Sequence, residues 1–340
     1  MKLIVKTGLV SLLMALLASA GQVSADSERN YSGNARAEAF IERMVAEHGA
    51  DRAELQALFG GAQYKQSIID AMTRPAEKVK LWKDYRKIFV TEKRLRQGLQ
   101  FWREQRSWLE KMQADYGVPI EYVVAIIGVE TYYGRITGNY RVVDALATLA
   151  FDYPKRSPFF TKELEHFLLL AKEQKLDPAT LKGSYAGAMG YGQFMPSSYR
   201  AYAVDYDADG VADIWANPAD AIGSVANYFV RHGWQHGEDV VVRARISADY
   251  SSEGVNKLVK PKLNLAQLAE RGFTPVPGLN SELSSEVKAI PLRLQGQAGV
   301  EFWLGLQNYY TITRYNHSFR YAMAVTQLAE QIAEEMSKGG

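Results

Sequence analysis

VPIEYVVAIIGVETYYGR, residues 118–135, reads as a helix with a carboxylate where an aliphatic side chain belongs. Pro119 opens it in the first turn, where a missing N–H costs little. Val123, Ile127 and Glu130 fall at i, i+4 and i+7, which is one face of that helix. A carboxylate on such a face is desolvated, which disfavours its charged form and raises its pKa. A carboxylic acid still protonated near neutral pH suits a general acid for glycosidic cleavage. The plainer reading pairs Glu130 with Arg135 or leaves it in water at the edge of the stripe. Spacing alone leaves both open.

Two later stretches carry further chemistry. In SYAGAMGYGQFMPSSY, 184–199, Gly187, Gly190 and Gly192 crowd ahead of Pro196, which opens another helix. Such density lets a backbone approach a ligand closely, or lets two elements pack tightly. Gln193 adds an amide, and Tyr191, Phe194 and Met195 add apolar faces. No lysine follows the glycines and no strand precedes them, so a phosphate loop is excluded. In DYDADGVADIWANPAD, 205–220, Asp205, Asp207, Asp209 and Gly210 match the first half of an EF-hand loop, with Val211 offering its carbonyl. The second half departs: Ala216 stands at the twelfth position and Asp220 lies further on. Asp213 is an extra candidate ligand, and a solvated acidic turn is the plainer alternative.

Around these stretches the chain is mainly helical. Residues 1–25 read as a signal peptide: Lys2 and Lys6, a short apolar run Leu9–Leu17, then small-residue sites ending at Ala20 and Ala25. A flexible leader is expected over 26–36 and a helical subdomain over 37–115. A core follows over 116–237 and 313–340. Between its parts, 238–312 reads as a small β-rich insertion. There GEDVVVRARISADY, EVKAIPLRLQG and NYYTITRYN read as strands and LNLAQLAERGF as a short helix. In the closing helix Val325, Leu328 and Ile332 line the buried side. The fold class is thus mainly α, of the α+β kind.

Composition narrows the function classes. The formal net charge is +2, which gives no basic field for nucleic acid. There is no cysteine, so there is no disulfide, thiol nucleophile or lipid-modifiable cysteine. HGWQH, 232–236, lacks the glutamate of a zinc-protease helix, and no G-x-S-x-G elbow occurs.

IIGVETYYGR, AGAMGYGQFMPSSY, the aspartate loop, DAIGSVANYF and FWLGLQNYYTITRYN together resemble the membrane-bound lytic transglycosylase B family, from about residue 37 to the C-terminus. The missing lipidation cysteine makes the chain similar to the soluble SltB-type members. The resemblance implies a lysozyme-like catalytic core and cleavage of the MurNAc–GlcNAc β-1,4 bond of peptidoglycan without water, giving 1,6-anhydromuramoyl products. It makes Glu130 the single general acid and base. It implies sugar hydrogen bonds from Ser184 and Gln193, groove walls from Phe194, Met195 and Tyr228, and further contacts from Tyr315 and Asn316. Where the family often has two arginines, this chain has Lys155-Arg156, so Arg156 carries the expected contact to a peptide or muramoyl carboxylate. Asp205, Asp207, Asp209, Val211 and Asp220 match a structural Ca2+ loop, and no organic cofactor is implied. Expected partners are peptidoglycan strands and cell-wall synthesis proteins. The expected location is the periplasm, soluble and without a lipid anchor. A hydrolytic muramidase on the same scaffold and a wall-binding protein without activity are the competing readings.

Overall fold

The computed structural model describes residues 29–73, 80–276 and 283–338. The signal peptide expected over 1–25 lies outside the described residues. In chain order the elements are α1 (Ala35–His48), α2 (Arg52–Gly61), α3 (Gln66–Thr73), α4 (Trp82–Phe89), α5 (Glu92–Glu104), α6 (Arg106–Tyr116) and α7 (Ile120–Thr131). Then come β1 (Tyr140–Arg141), α8 (Val142–Asp152), α9 (Ser157–Glu173), β2 (Lys182–Gly183), α10 (Pro196–Tyr202) and α11 (Pro218–Arg231). The remainder is β3 (Val241–Ile246), β4 (Leu263–Asn264), α12 (Leu265–Glu270), β5 (Phe273–Pro275), β6 (Lys288–Gln295), β7 (Val300–Gly305), α13 (Gln307–Tyr315) and α14 (Phe319–Lys338).

The described residues divide into two compact units, one of 80–133 with 225–338 and one of 29–73 with 134–224. In the first, α7 packs on α14, and α14 also covers α4 and α5. Val123, Ile126 and Ile127 of α7 and Val325, Leu328 and Ile332 of α14 are fully buried. Each such side chain contributes about 1.5–3 kcal/mol over its exposed state. Side-chain oxygens hold several helix starts: Thr91, for example, accepts the Arg94 amide (3.2 Å) at the head of α5, a cap worth about 1 kcal/mol.

The same unit carries a five-stranded antiparallel sheet in the order β4-β6-β7-β3-β5. Its buried face, with Val242, Leu304, Ala289 and Phe273, closes on Leu265 and Leu268 of α12. Strands at VVRARI and KAIPLRLQ and the helix at LAQLAE agree with the sequence. NYYTITRYN does not: it is the helix α13. Its Thr and Ile residues suggest a strand, but Asn308, Tyr309, Ile312 and Tyr315 are buried at helical spacing. Thr311 and Thr313 also satisfy their hydroxyls on the carbonyls of Gln307 (3.2 Å) and Tyr310 (2.6 Å). The third long strand of the sheet is instead β7, paired with β6 at Leu292↔Trp303.

In the second unit, α8 lies against α9, and α9 against α10. α8 is buried from Val142 to Phe151, so it is apolar all round rather than striped. Asp144 is the exception within it. Its carboxylate receives both Arg141 Nε (2.9 Å) and Nη2 (2.8 Å) and the Gln63 amide (2.9 Å), which satisfies a buried charge. The leader expected over 26–36 is packed from 29 onward. Tyr31 is 1% exposed, donates its amide to Phe59 O (3.1 Å) and its hydroxyl to Asp152 (2.9 Å), and meets the Phe151 ring edge-on. Arg29 adds a second anchor, pairing with Asp152 and accepting the Tyr64 amide on its carbonyl (2.8 Å). Among the described residues no helix is long and apolar enough to cross a membrane.

Candidate active site

In the first unit, α7 is buried on nearly every side, from Val123 to Val129, and Glu130 is half-buried in its last turn. Burial raises the Glu130 carboxyl to about 7, against the opposing pull of a hydrogen bond from Tyr321. That hydroxyl donates to Glu130 Oε1 at 2.5 Å. Tyr321 is itself 2% exposed, and its phenol is held well above its usual range by burial and by the Glu130 charge. It therefore stays a donor. Tyr315 and Tyr85 are raised for the same two reasons, which places Glu130 among three buried phenols. Among the described residues no ion pair involves Glu130, so the Arg135 pairing is not its arrangement.

The turn after Glu130 is unusual. Tyr132, Tyr133 and Gly134 hold φ of 56°, 62° and 80°. Left-handed backbone costs a non-glycine residue about 1–2 kcal/mol. It closes α7, with the Tyr132 amide donating to Gly128 O (3.1 Å) and the Tyr133 amide to Ile127 O (3.3 Å). Elsewhere in this unit the Tyr228 ring meets Tyr315 edge-on at 4.7 Å, stacks on His232 at 3.9 Å and donates its hydroxyl to Arg314 O (2.6 Å). Asn316 follows as the cap of α13 and is 9% exposed. Glu130, Tyr321, Tyr315 and Tyr85 are thus brought together, and Tyr228 adjoins Tyr315.

In the second unit the glycine stretch forms a short bridged turn, with Met189 and Phe194 exchanging both backbone hydrogen bonds (2.9 and 3.0 Å). Gly190, at φ 66°, lies so near Ile214 that a Cβ would come within 2.3 Å of its carbonyl oxygen. Tight packing, rather than ligand approach, is what this glycine provides. Ser184 is 2% exposed and its Oγ accepts the Ala188 amide (3.0 Å). Gln193, at φ 51°, donates Nε2 to the carbonyls of Thr137 (3.0 Å) and Gly190 (3.1 Å). That leaves its Oε1 to accept from a ligand. Phe194 and Met195 are buried. Arg156 lies over the rings of Phe159 (4.4 Å) and Phe160 (5.2 Å).

Asp205, Asp207 and Asp209 each bring a carboxylate oxygen within 4.8 Å of the others. Gly210, at φ 102°, makes the sharp turn at the sixth position. Three converging carboxylates on such a turn fit a hard cation such as calcium. Asp220, also expected as a ligand, bonds the loop's own backbone. It is fully buried and accepts the amides of Tyr206 and Asp213 (both 2.7 Å), fixing the loop from within. Val211 O accepts the Asp213 amide (3.0 Å), and Asp213 Oδ1 caps Trp215 (2.9 Å) and Ala216 (3.0 Å). Asn217 donates to Asp207 Oδ2 (2.8 Å) and was not singled out in the sequence.

Tyr321 and Tyr85 are the other residues that sequence reading missed. A signal existed for the first: Tyr321 extends the Val325, Leu328, Ile332 stripe by one turn, placing a polar tip on a core face.

The chain matches the family described as "Transglycosylase SLT domain" over residues 32–330. It is 46% identical over 313 residues to membrane-bound lytic murein transglycosylase B of Escherichia coli K12, covering 89% of this chain and 84% of that protein. The soluble lytic transglycosylase SltB1 from Pseudomonas aeruginosa superposes with a TM-score of 0.84 at 50% identity, over 90% of this chain and 99% of that one. The Escherichia coli lytic transglycosylase Slt35 in complex with calcium does so with a TM-score of 0.81 at 46% identity, over 90% and 95% of the two chains.

Proposed function

The chain belongs to the transglycosylase SLT domain family and is a peptidoglycan lytic transglycosylase, a lyase with a lysozyme-like fold, and on that premise we propose that Glu130 is its single general acid and base. The observation that carries this is a half-buried carboxyl raised to about 7 and held by one neutral donor, Tyr321. An acid that must give a proton and then take one back works best near the operating pH.

In the first half-reaction Glu130 gives its proton to the oxygen joining N-acetylmuramic acid to N-acetylglucosamine, and the C1–O4 bond breaks. Positive charge at C1 is met by the sugar's own N-acetyl oxygen, which takes the place of a protein nucleophile. In the second half-reaction the C6 hydroxyl attacks C1, the C1–O6 bond forms as the N-acetyl oxygen leaves C1, and Glu130 takes the hydroxyl proton. The acid is regenerated, a 1,6-anhydromuramoyl end is made and no water enters. Tyr321 favours the ionised half of this cycle, since its hydrogen bond stabilises the carboxylate.

Ser184 and Gln193 hydrogen-bond the sugars, the latter through Oε1. Phe194, Met195 and Tyr228 supply apolar surface for the sugar faces, and Tyr315 and Asn316 hold the muramoyl residue. Arg156 pairs with a carboxylate of the muramoyl group or its peptide. Asp205, Asp207 and Asp209 hold a calcium ion, whose role is to neutralise three carboxylates and fix the loop. The substrate is the peptidoglycan strand, met by a soluble chain in the periplasm.

Replacing Glu130 with Gln tests the assignment. Turnover of peptidoglycan is expected to vanish while co-sedimentation with insoluble peptidoglycan persists. Turnover at the wild-type rate would remove Glu130 from the chemistry.

A further inference from the structure

A buried guanidinium lies against the last turn of α7, and the chemistry above makes no use of it. Arg94, on α5, is 8% exposed. Its Nε donates to Gly128 O (2.9 Å), two residues before Glu130. Its Nη1 donates to Ile88 O (2.7 Å) and Phe89 O (2.9 Å), the end of α4, which is the helix carrying Tyr85. Carbonyls at two helix C-termini offer a cation the negative ends of both macrodipoles. The planar fork of arginine can serve several such oxygens at once, which a lysine cannot. Among the described residues no ion pair involves Arg94; its contacts are carbonyls and rings.

The same residue also holds the strained turn. Its guanidinium stands over the Tyr132 ring at 4.6 Å, and its backbone carbonyl accepts the Tyr133 hydroxyl (2.9 Å). The Tyr133 ring is folded back so closely that a Cβ on Gly128 would lie 2.5–2.8 Å from it. Left-handed non-glycine residues persist only where the surroundings over-determine them. Here those surroundings include Arg94, the Phe101 ring at 5.7 Å from Tyr133, and Gly128 and Gly98, whose missing side chains admit Tyr133.

We infer that Arg94 is the positioning residue of this active site: by gripping the ends of α7 and α4 and the turn after Glu130, it sets the acid's place relative to Tyr85. The inference rests on the acid/base role proposed for Glu130. It predicts more than a loss of stability. Tyr321 from α14 bonds Glu130 directly, while Tyr315 from α13 and Tyr85 from α4 feel its charge, and Tyr85 also feels that of Arg320. Freeing α4 and the turn admits water beside the carboxyl, which lowers its pKa, because desolvation is what raises it.

The test compares wild type, Arg94→Lys, Arg94→Met and Glu130→Gln on solubilised peptidoglycan, with the carboxyl titration followed by infrared difference spectroscopy against Glu130→Gln. Arg94→Met is expected to lose about a hundredfold in kcat with KM little changed, the scale of a misplaced catalytic group. Arg94→Lys is expected to recover part of that loss. In both, the Glu130 titration midpoint falls. If Arg94→Met does not fold, Arg94→Lys carries the test by itself. A folded Arg94→Lys with the wild-type midpoint overturns the inference, whatever its kcat. Wild-type turnover by Glu130→Gln would instead overturn the acid/base role, and the midpoint in Arg94→Lys would still report on the clamp.

Discussion

Glu130 is held where ionising it costs the folded protein stability. Its carboxyl stands at about 7 in the fold against an ordinary 4.5, so the folded state binds the proton more tightly than the unfolded chain. Below 4.5 both states are protonated and the group is neutral in its effect; between 4.5 and 7 stability falls as pH rises, and above 7 the loss is complete. Glu130→Gln should therefore raise the melting temperature at pH 8 but not at pH 4, a comparison that thermal denaturation across pH reads directly. Equal shifts at both pH values would contradict a desolvated acid. Tyr321→Phe removes the one bond that favours the carboxylate, so the midpoint of the pH–rate profile should move upward; a downward move would mean that another donor takes over. The aliphatic i, i+4, i+7 partners of Glu130 marked a desolvated carboxyl, and the resemblance to the family singled it out as the acid. Its donor stands 191 positions away; the stripe of α14 marks Tyr321 as a polar tip on a core face but does not name its partner.

Elements were legible where the pattern and the packing agree. β3 and β6 formed as strands within the stretches read as such, although neither buries every second residue, and α14 shows one clean stripe. α13 was misread because β-branched residues favour strands only when no helix face needs them; buried Tyr309, Ile312 and Tyr315 supply such a face. The aspartate loop shows the same limit. Its first half follows the cation pattern, whereas Asp220 is used to bind backbone amides, a role that spacing does not distinguish from ligation. Chelator should lower the melting temperature while most activity survives at moderate temperature, and Asp207→Asn should shrink that thermal response. An unchanged melting curve in chelator would remove calcium from the loop. Asp220→Ala should destabilise the protein with or without calcium, because it strips partners from two amides at a buried site.

At the scale of the molecule, the lysozyme-like fold and its family were readable from five motifs in order. The helices before residue 116 belong to two different units, α1–α3 to one and α4–α6 to the other, because contacts across long sequence distances, not composition, decide the grouping. Cell fractionation is expected to release the mature chain from the periplasm by osmotic shock, without detergent; a detergent requirement would argue for an anchor. The most direct test of the whole account is mass spectrometry of the soluble products from purified peptidoglycan digested with the mature protein. The account predicts muropeptides ending in 1,6-anhydromuramic acid. Products one water heavier would contradict it, because Glu130 would then have activated a water in place of the C6 hydroxyl.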